Sequence, residues 1–279
     1  MAMTGPLPVQ STPLPKGVEI KPRRMKFAYG DSPEHWMAGD RVLTRFMEAL
    51  SMLFPEGERF FVESVARYRD QIVDPVLQKQ VTAFAAQEGM HAAEHHKYNV
   101  RAAGDRTTGY EAIAGHLRHP LARRVLSPMN RLAITVALEH FTAMMADELL
   151  KNPAYEKLMD PEHAKLWLWH AVEETEHKAV AFDVYRAVGG GYLRRASMMQ
   201  LMTFLFIVAS ARLLAGLLWN DGSQKRPNLS RFIEVGFVSP GFFRNCFPAW
   251  LDYFRPSFHP WQRENSDLIQ AWKERYAAS

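Results

Sequence analysis

Two Glu-x-x-His pairs and two isolated acids recur in a fixed order along this chain, and that order restricts the folds open to it. Glu88-Gly-Met-His91 and Glu174-Thr-Glu-His177 each set a carboxylate and an imidazole three residues apart. On a helix these share a face, so each pair can offer an oxygen and a nitrogen to one ion. Glu63 follows Phe60, Phe61 and Val62, and Glu139 shares a helical face with Leu132, Val136, Ala143 and Ala146. A carboxylate in an apolar setting is costly unless it is paired or metal-bound. The order is therefore Glu63, Glu88-x-x-His91, Glu139, Glu174-x-x-His177, one acid and one pair, twice over.

The surrounding pattern is helical. From about residue 34 to 188, apolar residues recur at three- and four-residue spacing, and no convincing strand interrupts them. Asp31, Ser32 and Pro33 read as the opening of a first helix, and Pro55 as the start of the one carrying Glu63. Pro75, Ser127-Pro128 and Asp160-Pro161 read as further helix starts, and Gly189, Gly190 and Gly191 as a stop. The expected class is all-α, a four-helix bundle with additional C-terminal helices. It divides into a flexible Pro-rich tail (1–30), a metal-binding helical bundle (31–191) and an apolar, aromatic-rich extension (192–279).

Cys246 is the only cysteine, which excludes an internal disulfide framework and thiolate-based zinc or iron–sulfur sites, and suits a reducing, cytoplasmic setting. Any metal must use His and carboxylates. The net charge of +4 comes without a long basic run, so nucleic acid is not an expected partner.

His170 stands four residues before Glu174 and seven before His177, within about 60° of both at roughly 100° per residue, and can join their site. His95 shares the face of Glu88 and His91 and reads as a group orienting the ligands. Glu94, His96, Glu173 and Glu176 point increasingly away and read as solvated or salt-bridged.

In the extension, Met198 to Leu218 is strongly apolar, with Arg212 as its only charge. It reads either as a membrane-associated helix or as one buried in the core or a homodimer interface. Phe237 to Trp261 is dense in aromatics with Arg244 and Arg255 interleaved, a composition that can anchor at lipid headgroups.

The repeated order resembles that of the ferritin-like di-iron carboxylate superfamily, over about residues 56 to 188. That resemblance implies Glu63, Glu88, His91, Glu139, Glu174 and His177 as bridging and terminal ligands. The added His170 is similar to the seventh ligand of p-aminobenzoate N-oxygenase. The whole chain, with its closing Arg255-Pro256-Ser257-Phe258-His259-Pro260-Trp261, also resembles a bacterial family labelled "predicted metal-dependent hydrolase". The expected cofactors are two metal ions, iron first, with manganese or zinc as alternatives. The leading functional expectation is an O2-dependent oxidase or oxygenase acting on a small apolar, aromatic or amine substrate and served by an electron donor. The alternatives are a hydrolase using metal-activated water and a non-catalytic iron-binding protein. A cytoplasmic protein, associated with the inner face of the membrane, fits the apolar extension.

Overall fold

A computed structural model describes residues 12–223 and 225–276. Among these residues the chain is all-α, with one isolated bridge between Met37 and Met159. The helices are α1 (Arg41–Ala66), α2 (Pro75–Ala103), α3 (Thr107–Gly115), α4 (Pro120–Val125), α5 (Pro128–Lys151) and α6 (Pro153–Glu156). They continue with α7 (Pro161–His177), α8 (Val180–Ala187), α9 (Tyr192–Asn220), α10 (Ser230–Ile233), α11 (Phe242–Asp252) and α12 (Ser266–Tyr276). A π-helical turn, Glu234–Val238, links α10 to α11.

The long helices start where side chains supply the missing acceptors of the first turn. Asp74 accepts from the Val76 amide, Ser127 from Asn130 and Asp160 from Glu162, each followed by a proline that lacks an amide to satisfy. The first helix differs from the expectation. Residues 31–40 form turns, and Asp40 caps α1 by accepting from Leu43 at 2.9 Å.

Pro55 does not start a helix either; it lies inside the 26-residue α1. A proline there removes the amide that would bond the carbonyl four residues earlier, that of Ser51. Asn99 from α2 supplies the replacement, its Nδ2 donating to the Ser51 carbonyl at 3.1 Å. The helix thus passes through its proline because a neighbour satisfies the freed group.

α1 packs along α2, and α5 along α7, while α9 lies across α1 and α5. Two apolar clusters flank a polar centre. Phe84 of one cluster meets the His177 ring edge-on with centroids 5.0 Å apart, and Phe54 of the other lies 4.7 Å from the His170 ring. The C-terminal extension contributes to the same clusters through Met199, Met202 and Tyr253 on one side and Val235 and Trp272 on the other. Arg195 fastens it further, donating to the carbonyls of Tyr253 and Arg255.

Of the N-terminal segment expected to be a flexible tail, residues 1–11 lie outside the described residues, and two of the described ones make contacts to the bundle. Thr12 donates its amide to Asp183 at 3.1 Å, and Arg23 bonds both Glu173 and Glu176.

Candidate metal centre

Four helices converge on the polar centre. Atoms of Glu88 from α2, Glu139 from α5, and Glu174 and His177 from α7 lie within 4.8 Å of one another. A second group of the same compactness joins Glu58 from α1, His91 from α2 and His170 from α7. Glu174 stands between the groups. Its Oε1 lies 3.0 Å from His170 Nε2 and 3.5 Å from His91 Nδ1, while its Oε2 lies 3.5 Å from His177 Nε2.

All seven side chains are buried, yet many of their polar atoms lack hydrogen-bond partners. Both oxygens of Glu58, Glu88 and Glu139, together with Glu174 Oε2, His91 Nδ1 and His177 Nε2, are unsatisfied. Glu88 Oε1 comes within 3.0 Å of His177 Nε2, but the pair lacks hydrogen-bond alignment. A buried polar atom without a partner ordinarily costs about 1–3 kcal/mol, and more when charged. So many facing one spot is the signature of a cation site, because a metal ion accepts lone pairs from all of them without competing for protons. The donor set fits such an ion.

The imidazoles are held so that their free nitrogens face this spot. Gln87 Nε2 donates to Glu176 at 3.0 Å, which leaves its Oε1 to accept from His177 Nδ1 at 2.9 Å. His177 therefore turns Nε2 toward the centre as the nitrogen open to an ion. His91 donates from Nε2 to Glu173 Oε2 at 3.1 Å, which leaves Nδ1 as the nitrogen open to an ion.

A longer chain fixes His170. Asn99 Nδ2 donates to the Ser51 carbonyl and to Glu111, so its Oδ1 faces Ser51 Oγ, which must donate at 2.6 Å. Ser51 Oγ then accepts from His95 Nδ1 at 2.8 Å, and His95 Nε2 accepts from His170 Nδ1 at 2.7 Å. His170 is left with its Nε2 lone pair beside Glu174. Orienting contacts of this kind raise ligand basicity and fix the tautomer.

The electrostatics follow from burial and crowding. Desolvation, reinforced by neighbouring carboxylates, raises Glu58 and Glu139 well above the usual carboxylate range and raises Glu88. Glu174 is also desolvated, but the surrounding imidazoles outweigh this and hold it well below that range. Burial opposes charge on His91, yet the hydrogen bond to Glu173 and the close Glu174 carboxylate carry it up to about 10. Burial and the neighbouring His91 charge press His170 down to about 4.

The structure brings together Glu88, His91, Glu139, His170, Glu174 and His177, and sets His95 behind His170. It does not bring Glu63 to them. Glu63 is partly exposed and paired with Arg118, Arg123 and Arg131, five residues and about 140° around α1 from Glu58. Breaking the helix at Pro55 hid the relevant face. Phe54, Glu58, Phe61 and Val65 are spaced four, three and four residues apart and are all buried, so unbroken periodicity would have placed Glu58 inward. Glu173 and Glu176, expected to be solvated or salt-bridged, are salt-bridged rather than solvated. Both are fully buried, sharing Arg23, with Lys273 3.2 Å from Glu176.

An apolar cleft enclosing about 780 Å³, open solvent at its mouth included, reaches the centre at His170 and Glu174. Phe54, Trp167 and Ala171 wall its inner end, and Phe232, Val235 and Phe243 its outer end. Gly236 permits that outer wall: a Cβ there would approach the Phe243 ring to 2.9 Å.

Residues 21–264 match the family described as "Predicted metal-dependent hydrolase". No curated protein and no solved structure shows a significant match.

Proposed function

The chain belongs to the predicted metal-dependent hydrolase family, and we propose that it hydrolyses an ester or amide of an apolar molecule at a two-metal centre of ferritin-like type. The observation that carries this reading is the cleft, which delivers an apolar ligand to Glu174, the carboxylate shared by both groups of donors. Glu58, His91 and His170 would hold one ion, and Glu88, Glu139 and His177 the other, with Glu174 between them. Four carboxylates balance the charge of two divalent cations. Bound there, the ions would supply Lewis acidity and lower the pKa of a water nucleophile.

The protein's own part is positional. Phe54, Trp167 and Ala171 hold the apolar group and exclude bulk water, while Gln87, Glu173 and His95 keep the imidazoles aimed. The family description favours hydrolysis over the oxidation expected from the sequence.

One observation keeps oxidation as a second reading. Among the described residues, the cleft wall offers Thr142 and Tyr155 as its only hydroxyl-bearing side chains, and Tyr155 already donates to Glu148. Among the described residues, no uncommitted acid lines the wall to protonate a leaving group.

Chain-length series of p-nitrophenyl esters, assayed with zinc-, manganese- and iron-loaded protein, test the proposal. Metal-dependent release that improves with acyl length supports it. Failure with every metal, accompanied by dioxygen consumption by the ferrous protein, replaces it with oxidation.

A further inference from the structure

α9 is apolar on both sides. Met199, Met202, Leu213 and Leu217 are buried in the clusters beneath it, whereas Phe204 and Ile207 on the outer side are 65% and 61% exposed, flanked by half-exposed Leu201, Leu205 and Val208. By length and composition α9 could cross a membrane, with mean hydropathy 2.1 over its most apolar window, of which only 22% is buried. An ordinary core helix would be mostly covered. A helix that is apolar all round needs an apolar neighbour on each side.

The outer surface extends beyond α9. Trp250 Nε1 donates to Thr203 Oγ1 at 3.0 Å and stacks on Phe247, which is itself half-exposed on α11. Ile233, Phe237 and Val238 are half-exposed on α10 and the π-helical turn, the same segment whose Phe232, Val235 and Gly236 line the cleft.

Charge selects the occupant. Arg212, Lys225, Arg226 and Arg244 are exposed and form no ion pair with a described carboxylate. Three acids of this region are paired, Asp221 with Arg41, Glu234 with Arg231, and Asp252 with Arg255 and Arg263, and Glu148, which accepts from Tyr155 and Asn245, offsets only one of the four cations. The apolar face therefore has a net positive border. Across a two-fold interface each copy would bring the same cations, so a second copy meets like charge. An anionic lipid surface meets both the apolar area and the border.

We propose that the outer side of α9, with the exposed residues of α10, the π-helical turn and α11, seats this protein on an anionic bilayer, lying in the interface rather than spanning it. Spanning would strip Met199, Met202 and Leu213 from the core and pull the buried Arg195 from the carbonyls of Tyr253 and Arg255. The segment that lines one wall of the cleft then lies against lipid. That apolar substrate enters from the bilayer rests on the function proposed above; the docking itself does not.

Flotation of the metal-loaded full chain with vesicles of phosphatidylcholine alone, or containing about one-third phosphatidylglycerol, tests the docking. Retention by the anionic vesicles that falls with salt is expected. Phe204→Ser/Ile207→Ser should weaken it by about tenfold or more, leaving the thermal midpoint and metal content unchanged. Equal retention by both vesicle types and by the double variant would overturn the proposal. So would a stable dimer in lipid-free solution that the same substitutions dissociate, because the face would then belong to a second copy. Turnover of the p-nitrophenyl ester series in lipid-free solution reads the proposed function separately: vesicle binding with no turnover of any ester by any metal-loaded form supports the docking and removes the hydrolase.

Discussion

His95 Nε2 lies 2.7 Å from His170 Nδ1, and the proton between them belongs to His170. The assignment is forced from the far end, because Asn99 must donate to two oxygens and so turns Ser51, and then His95, into one directed series. Two roles meet in Asn99. It replaces the hydrogen bond that Pro55 removes from α1, and it sets which nitrogen His170 shows to the carboxylates.

Ser51→Ala breaks that series at its middle. His95 loses its acceptor, and the hold on the His170 tautomer relaxes. Metal affinity at the Glu58–His91–His170 group is expected to fall about tenfold or more, with a stability loss of about 1–3 kcal/mol from the unpaired imidazole. Competitive metal titration of the folded variant measures it; an unchanged affinity would show that the series does not orient His170.

Glu58 and Glu63 make a paired test on one helix. Glu58→Gln should lower metal affinity by at least about tenfold, because a neutral amide replaces a carboxylate in a buried charge-balanced centre. Glu63→Gln should leave metal content unchanged and alter stability by about 1 kcal/mol or less, as expected for a partly exposed ion-pair cluster. The opposite pattern would return Glu63 to the site.

The contrast between those two glutamates shows what the residues disclosed and what they concealed. The all-α class was legible from periodicity, and the two Glu-x-x-His pairs from local spacing, since both depend only on neighbours within one helical turn. Glu58 was not legible, because Pro55 carries a strong local breaking signal whose compensation comes from Asn99, forty-four residues further on. Ser51, Gln87 and Asn99 escaped for a related reason. A neutral polar residue in a helix looks the same whether it faces water or a buried histidine, and only the tertiary contact tells them apart.

Metal uptake should acidify a weakly buffered solution. Glu58, Glu88 and Glu139 are raised above the usual carboxylate range, and His91 and His177 are raised as well, so these groups hold protons that an ion must displace. Lowering the pH therefore opposes binding, by about a power of ten in affinity per pH unit for each proton released. A pH-stat titration measures the release; uptake with no proton release would contradict the electrostatics of the centre.

Acid should also loosen the C-terminal cover through His140. Its Nε2 donates to the Ala249 carbonyl on α11, and burial outweighs that bond and presses its pKa to about 4. A base whose folded pKa lies below its unfolded value of about 6.5 supports the fold above that pH and loses its support as the pH falls toward 4, a difference of about 3 kcal/mol at most. His140→Gln retains a donor without the titration. Denaturant melts at neutral and acid pH should show a steeper loss for the unsubstituted protein; parallel losses would remove His140 as the cause.

Arg23 gives the start of the chain a part in the centre's upkeep. Its guanidinium and its amide both engage Glu173, whose other oxygen anchors His91, and it shares Glu176 with Gln87, the anchor of His177. A shortened protein beginning at α1 would keep every donor of the proposed centre, but two sealed-in acids would lose their arginine counterion and His91 and His177 their steady footing. Trimming for crystallisation or expression should therefore stop short of residue 23.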